Sequence, residues 1–137
     1  MKIFLDANIL FSASRKDSIL RKFIQFLIEA GYTLCTNDYA RTEAERNILA
    51  KKFVTEAEFT QFINSIPSSN ILKAGHIPDL AEKDQPVMRG ALGLECDYLL
   101  TSDRKDFGIF LEHGYQTLKV GTPSMLAEFL ELGPVKE

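Results

Sequence analysis

The chain opens with a stretch that predicts the first strand of a sheet and the turn after it: Lys2-Ile3-Phe4-Leu5-Asp6-Ala7-Asn8-Ile9-Leu10. A short apolar run bounded by a polar residue is typical of a buried strand. Here the run ends at Asp6, and apolar character resumes at Ile9. An acid directly after an inner strand is seldom explained by stability alone, because burying its charge is costly. Asp6 is therefore the first candidate functional residue.

Working outward from this stretch, helical and strand-like periodicities alternate along the chain. In the first half we predict a helix from Ser18 to Gly31, a strand from Tyr32 to Thr36, a helix from Tyr39 to Phe53, a helix from the Thr55–Glu58 capping box to a point before Pro67, and a short strand from Asn70 to Lys73. In the second half we predict a helix beginning at Asp84-Gln85-Pro86, a strand from Asp97 to Thr101, a helix from Phe107 to Glu112, a strand from Tyr115 to Val120, and a helix from Pro123 to Leu132 that Gly133-Pro134 closes. Strands that alternate with helices indicate an α/β domain, with a parallel sheet of about five strands covered on both faces.

Length and composition fit a single domain of an ordinary globular protein. The chain has 137 residues, of which 45% are hydrophobic and 26% charged. Its net charge of −3 argues against a general nucleic-acid coat, which would be basic, but leaves room for an enzyme that acts on nucleic acid. We expect no membrane span and no signal peptide, and hence a cytoplasmic protein. Cys35 and Cys96 have no metal-ligand spacing, so we expect reduced thiols in the core.

Four acids from remote parts of the sequence are predicted to meet at one edge of the sheet. Ligands of open parallel sheets bind beyond the carboxyl ends of the strands. Asp6 follows the first strand, and Asp103 follows the strand that ends at Thr101. Asp84 begins the helix that leads into that second strand, and Glu43 lies one turn into the helix after the strand ending at Thr36.

Carboxylates that cluster repel one another, and a divalent cation is the usual reason for gathering them. A ligand set of oxygens alone suits Mg²⁺ or Mn²⁺ rather than zinc, and such ions serve mainly in phosphoryl transfer. Each acid also has a purely structural interpretation. Asp84 could cap its helix, Asp103 could stabilise a turn, and Glu43 could be a solvated helix residue, with Glu45 as its competitor for a site role.

Several stretches resemble the motifs of the PIN-domain family, and they occur in the family's order over almost the whole chain. The resemblance is carried by Ile3 to Leu10 as the opening Asp-x-Asn motif, the Glu43-Ala44-Glu45-Arg46-Asn47 helix, the segment Lys83 to Leu92 with a third acid, Thr101-Ser102-Asp103 with Asp106-Phe107 as a Thr-x-Asp motif, and Thr122 to Leu126 as the last helix.

The resemblance implies a single PIN-like domain over residues 1–137, built as a three-layer sandwich whose sheet has the order 3-2-1-4-5. It also implies a nuclease that hydrolyses single-stranded RNA with Mg²⁺ or Mn²⁺. The catalytic metal ligands would be Asp6, Glu43, Asp84 and Asp103. Asn8 and Thr101 would orient the acids or hold a water molecule, and Ser102 and Asp106 are further candidates.

Bacterial VapC-type members of the family are toxins that an antitoxin neutralises and that work as homodimers, so the resemblance implies both partners. We expect the Phe-rich segment Phe53, Phe59 and Phe62 to supply a contact surface for such a dimer. Positive side chains beside the proposed ligands could meet RNA phosphates: Arg41, Arg46, Arg89, Arg104 and Lys105.

Two other functions remain open from the sequence. One is an inactive PIN scaffold that binds RNA or protein without cutting it. The other is a receiver-like, phosphate-binding signalling module, which also clusters aspartates at strand ends. Receivers pair two acids after the first strand and need a lysine after the last one; this chain has Lys119 but only Asp6 at the first position.

Overall fold

A parallel sheet forms the centre of the molecule in the computed structural model, which describes residues 1–132. Its four strands are β1 (Lys2–Leu5), β2 (Thr33–Cys35), β3 (Tyr98–Leu100) and β4 (Lys119–Gly121). They pair in the order β2-β1-β3-β4, and every pair is parallel. The two inner strands are β1 and β3, whose apolar residues are all buried because helices flank the sheet.

Helices occupy most of the chain between these strands. Within the described residues they are α1 (Ala7–Ala13), α2 (Ile19–Glu29), α3 (Asp38–Lys51), α4 (Glu56–Ile63), α5 (Gln85–Gly93), α6 (Gly108–His113) and α7 (Pro123–Phe129), with a short 3-10 helix (Glu82–Asp84) directly before α5. Each of α2, α3 and α4 begins at a polar cap whose side chain accepts a backbone hydrogen bond, as with Ser18, which accepts from the Arg21 amide. The predicted α/β architecture is confirmed.

The prediction of a third strand from Asn70 to Lys73 is wrong. Within residues 1–132, the outer side of β2 carries only an isolated parallel bridge between Thr36 and Ser68. Beyond it the backbone binds α5 instead of the sheet, since the Lys73 amide donates to the Arg89 carbonyl (2.9 Å) and the Arg89 side chain donates back to the Lys73 carbonyl (2.7 Å). The other four strands keep the predicted order, so the sheet is the expected one without its third strand.

Other boundaries differ in ways that have local causes. The turn expected after β1 is the seven-residue helix α1, which Asp6 caps by accepting a hydrogen bond from the Ala7 amide. Tyr115 pairs with Leu118 in a tight antiparallel bridge, so β4 begins only at Lys119. Helix α7 ends at Phe129 rather than Leu132, and the predicted stop at Gly133-Pro134 lies outside the described residues.

Two phenylalanines that the sequence suggested as a contact surface lie in the core instead. Phe59 and Phe62 are buried, so the prediction that they form a dimer contact is wrong; on α4 they point into the protein.

Cys35 and Cys96 are free and buried, with their sulfurs 3.3 Å apart, as expected for reduced core thiols. Across residues 1–132 the structure holds no helix long and apolar enough to cross a membrane.

One side chain ties together the two helical segments that carry predicted site residues. Asn37 caps α3 by accepting a hydrogen bond from the Ala40 amide (3.0 Å), and its amide group donates to the Pro86 carbonyl at the start of α5 (3.1 Å). Gly90 makes this contact possible, because a Cβ at that position would overlap the Asn37 amide nitrogen. The position of α3 relative to α5 therefore depends on a glycine.

Replacing Gly90 with alanine should destabilise the protein by about 1–3 kcal/mol, since the added methyl forces Asn37 out of its place. The matched control is Gly108→Ala in α6, where a Cβ would meet nothing within 4 Å. That change should be neutral or slightly stabilising, because alanine favours helix. Urea unfolding followed by circular dichroism checks both, and equal midpoints for the two variants would contradict the tie through Asn37.

Candidate metal centre

Asp6 lies at the junction between β1 and α1 and is held by three hydrogen bonds. Its Oδ1 accepts from the Ala7 amide (2.7 Å), and its Oδ2 accepts from the Thr101 hydroxyl (2.8 Å) and the Asn8 amide group (3.2 Å). Asp6 is only 5% exposed to solvent. Burial raises the pKa of Asp6 to about 6, against the lowering effect of the bonds from Thr101 and Ala7, and the charges of Glu43 and Asp84 raise it further.

Asn8 and Thr101 connect Asp6 to the loop after β3. The Asn8 side-chain oxygen Oδ1 accepts from the Ser102 backbone amide (2.9 Å), and the Thr101 hydroxyl oxygen accepts from the Asp103 backbone amide (3.1 Å). A single hydroxyl group therefore bonds both to the Asp6 carboxylate and to the backbone of Asp103. Asn8 and Thr101 thus contact Asp6 directly and hold the backbone of the loop that carries Asp103.

Three acids bring carboxylate oxygens within 4.8 Å of one another: Asp84, Asp103 and Asp106. Asp103 itself shapes this cluster, because its Oδ1 accepts from the amides of Lys105 (3.1 Å) and Asp106 (2.9 Å) and closes a tight turn. Asp106 thus stands beside the predicted acids. The signal for it was the three-residue spacing from Asp103, which a turn of this kind brings together.

Lys83 places a positive charge inside the acidic cluster, which the sequence did not predict. Its ammonium group lies 3.1 Å from an oxygen of Asp84 and also contacts Asp106. The two carboxylates raise the pKa of Lys83 well above its usual range, and the Lys83 bond lowers the pKa of Asp106. The sequence carries no sign of this contact, because it depends on the loop after β3 folding back over the 3-10 helix.

Glu43 lies beside the cluster on α3. Partial burial raises the pKa of Glu43, and the charges of Asp84 and Asp103 raise it further, while Lys83 and Arg46 oppose them. Burial likewise raises the pKa of Asp84 against the effect of Lys83. Since Glu43 and Asp84 also raise the pKa of Asp6, the four predicted acids lie within reach of one another's electric field.

The competing residue, Glu45, lies on a different side of α3. Residues two positions apart in a helix are separated by about 200° around the axis, so Glu45 cannot share the direction of Glu43. Glu43 acts on the pKa of both Asp6 and Tyr39. The geometry therefore favours Glu43 over Glu45 as the acid that faces the cluster.

The positive residues proposed to meet RNA are placed unequally. Arg46 is near enough to Glu43 to act on its pKa, and Arg104 and Lys105 are exposed in the turn after Asp103. The Arg41 guanidinium instead donates to the Asn64 side-chain oxygen Oδ1 (3.4 Å), and the Arg89 guanidinium donates to the Lys73 backbone carbonyl.

A comparison with solved structures finds the same architecture elsewhere. A chain in the crystal structure of VapBC2 from Rickettsia felis, bound to a DNA fragment from their promoter, superposes with a TM-score of 0.58. The two chains are 14% identical over 89% of this chain and 98% of that one. This chain has a PIN-like fold. No protein-family model matches the sequence, and no curated protein does.

The PIN-like fold explains why remote acids meet. Its inner strands, β1 and β3, are neighbours and end side by side. Asp6, after β1, and the Thr101–Asp103 loop, after β3, therefore lie next to each other. The similarity at this level of identity concerns the fold, and the chemistry must be argued from the acids themselves.

Without metal, the stability of the protein should fall as the pH rises through about 6. The pKa of Asp6 is about 6 in the folded protein, whereas an ordinary aspartate, as in the unfolded chain, has a pKa of 3.8. The folded state therefore binds the proton more tightly than the unfolded state does. Its contribution is fully present below about pH 4 and is lost above pH 6, with a difference of roughly 2 to 3 kcal/mol.

The check is urea unfolding in EDTA at a series of pH values from about 4 to 8, with Asp6→Asn as the reference. The wild type should lose more stability over this range than the variant, whose amide does not titrate. Parallel pH profiles for the two proteins would show that Asp6 is not strained by its charge.

Proposed function

We propose that residues 1–137 form a single PIN-like domain that acts as a metal-dependent endoribonuclease. It hydrolyses phosphodiester bonds in single-stranded RNA, with Mg²⁺ or Mn²⁺ held by Asp6, Glu43, Asp84 and Asp103. One observation carries the proposal: acids from four distant parts of the chain lie at one edge of the sheet, where burial and the charges of neighbouring acids raise the pKa values of Asp6, Glu43 and Asp84. Such an arrangement is unfavourable for the fold by itself and is typical of a cation site.

The residues present fit a hard divalent cation. All of the acidic side chains that meet there offer oxygen atoms, and three of them bring ligand atoms within 4.8 Å. The cluster already attracts a cation, since the Lys83 ammonium lies between Asp84 and Asp106. Oxygen ligands of this type suit Mg²⁺ or Mn²⁺. Asp106 joins the four predicted acids as a candidate ligand.

The chain's own groups would hold and orient the reacting parts. A divalent cation bound at these acids would supply charge stabilisation for the phosphate and activation of the attacking water. Thr101 and Asn8 fix the direction of the Asp6 carboxylate through hydrogen bonds of 2.8 and 3.2 Å. Arg46, Arg104 and Lys105 supply positive charges for the phosphates on either side.

We further propose that the chain is the toxin of a toxin–antitoxin pair, acts in the cytoplasm, forms a homodimer and is neutralised by an antitoxin. The support is the similarity to a chain of VapBC2, which crystallised with its promoter DNA fragment. A homodimer would use a surface other than Phe59 and Phe62, which are buried.

The two alternatives make different demands on the structure. A receiver-like module needs its lysine beside the acids. Lys119 instead begins β4, at the amino ends of the strands, which are opposite the acids, and its ammonium lies 5.4 Å from the Phe129 ring centre. An inactive PIN scaffold has the same geometry as the enzyme, so only turnover separates the two.

Purified protein should cleave single-stranded RNA with Mn²⁺ and stop cleaving in EDTA. Glu43→Gln should lower the rate by about 10²-fold, on the scale of losses at metal sites. Glu45→Gln is the matched control, two residues along the same helix, and should leave the rate unchanged. An active Glu43→Gln together with an inactive Glu45→Gln would move the ligand role to Glu45, and no cleavage by the wild type would overturn the enzyme in favour of the scaffold.

Lys83→Met should lower the stability of the metal-free protein but raise its affinity for Mn²⁺. Without metal, the variant leaves Asp84 and Asp106 without their cation, so its melting temperature in EDTA should fall by a few degrees. With metal, the lost positive charge no longer competes, so Mn²⁺ should bind about tenfold more tightly by calorimetry. Lys22→Met on α2 serves as the control. Weaker Mn²⁺ binding in Lys83→Met would contradict the idea that Lys83 and the metal share these acids.

A further inference from the structure

Helix α3 presents three chemically different side chains on one face. Tyr39, Glu43 and Arg46 are four and three residues apart, a spacing that places them on neighbouring turns of the same side. The buried side of the helix is separate and consists of Ala40, Ala44 and Ile48. The face with Tyr39, Glu43 and Arg46, here called the α3 strip, therefore does not serve the core.

Tyr39 is anchored at both ends of its side chain. Its backbone belongs to the first turn of α3, and its hydroxyl donates a hydrogen bond of 2.6 Å to the Lys83 carbonyl. Lys83 directly precedes Asp84, so the ring spans from the helix of Glu43 to the segment of Asp84. An aromatic ring held in this way loses little conformational freedom when another group packs against it.

The ring remains open to solvent beside the acids. Tyr39 is 40% exposed, which leaves part of the ring free to contact a ligand. Partial burial raises the pKa of its hydroxyl, and the charges of Glu43 and Asp84 raise it further. The hydroxyl therefore stays protonated at neutral pH and keeps its bond to Lys83. Arg46 also acts on this pKa, which places a positive charge near the same ring.

We propose that the α3 strip is a nucleotide subsite in which Tyr39 stacks on an unpaired base and Arg46 contacts the adjacent phosphate. The inference deepens the proposed function, on which it rests for the reaction at the neighbouring acids. Aromatic side chains and arginines combine in this way in proteins that bind single strands. A base inside a duplex is already stacked, so the subsite selects single-stranded RNA. It tolerates any base, because every base offers a face for stacking.

The ring and the hydroxyl of Tyr39 can be separated by mutation. Tyr39→Ala removes the ring, whereas Tyr39→Phe removes only the bond to the Lys83 carbonyl. Tyr39→Ala should raise the KM for single-stranded RNA by roughly 5- to 150-fold, the range for loss of one stacked base, with kcat nearly unchanged. Tyr39→Phe keeps the ring but loses its anchoring bond, so its KM should rise clearly less than that of Tyr39→Ala. A fall in kcat at constant KM, or a phenylalanine variant as impaired as the alanine one, would overturn the subsite.

A binding experiment needs no cleavage. The chain contains no tryptophan, so Tyr39→Trp introduces a single tryptophan at the proposed stacking position, whose emission can be excited selectively over that of the remaining tyrosines. In an Asp103→Asn background with Mn²⁺, titration with a single-stranded oligouridylate should quench its emission. Phe26→Trp is the matched control, since Phe26 is 44% exposed and lies in the second half of α2, which leads to the amino edge of the sheet. Quenching only at position 39, and none with duplex RNA, supports the subsite; equal quenching at both positions or by the duplex overturns it.

The two ideas fail separately. If the wild type cleaves RNA with Mn²⁺ while the Tyr39→Trp variant is unquenched and Tyr39→Ala keeps its KM, the α3 strip is overturned and the nuclease stands. If single strands quench the Tyr39→Trp variant while the wild type cleaves nothing, the nuclease is overturned and the subsite stands as part of a binding protein.

Discussion

The hydrogen bond from the Thr101 hydroxyl to the Asp6 carboxylate joins the ends of the two inner strands of the sheet. A buried carboxylate is tolerated only where donors surround it, and Asp6 has three of them. The Thr101 oxygen also accepts the Asp103 amide, so the group that stabilises the first acid positions the next one. From there the turn at Asp103 brings Asp106 toward Asp84. The arrangement of the acidic edge therefore depends on one threonine.

Two opposing effects set the energy of this edge. Burial and mutual repulsion raise the pKa values of Asp6, Glu43 and Asp84, so each ionised acid weakens the metal-free fold. Lys83 offsets part of this repulsion at Asp84 and Asp106. Because Lys83 is 61% exposed at its side chain, it can leave toward solvent without losing much packing. The metal-free fold therefore retains electrostatic repulsion at this edge, which Lys83 offsets only in part.

The sequence predicted the features that depend on local pattern. The four observed strands, their order and the positions of Asp6 and Asp103 directly after the two inner strands follow from the alternating segments of the sequence. The features it missed depend on contacts between distant segments. The segment after Ser68 has the pattern of a strand, yet its backbone is bound by Arg89. Lys83 has the pattern of a surface residue, and the motif alone does not say that the loop after β3 returns to it. Helix α1 was missed because seven residues give little periodicity to detect.

The absent third strand affects how the molecule can aggregate. An open sheet edge is a template on which strands of other chains can pair, and proteins normally block it. At the β2 end, the amide and carbonyl of Thr36 bond to Pro67 and Ser69, after which the chain turns away to α5. At the other end, β4 has three residues and begins with a lysine, which makes a poor template. Growth of the sheet into intermolecular β-fibrils is therefore hindered at both ends.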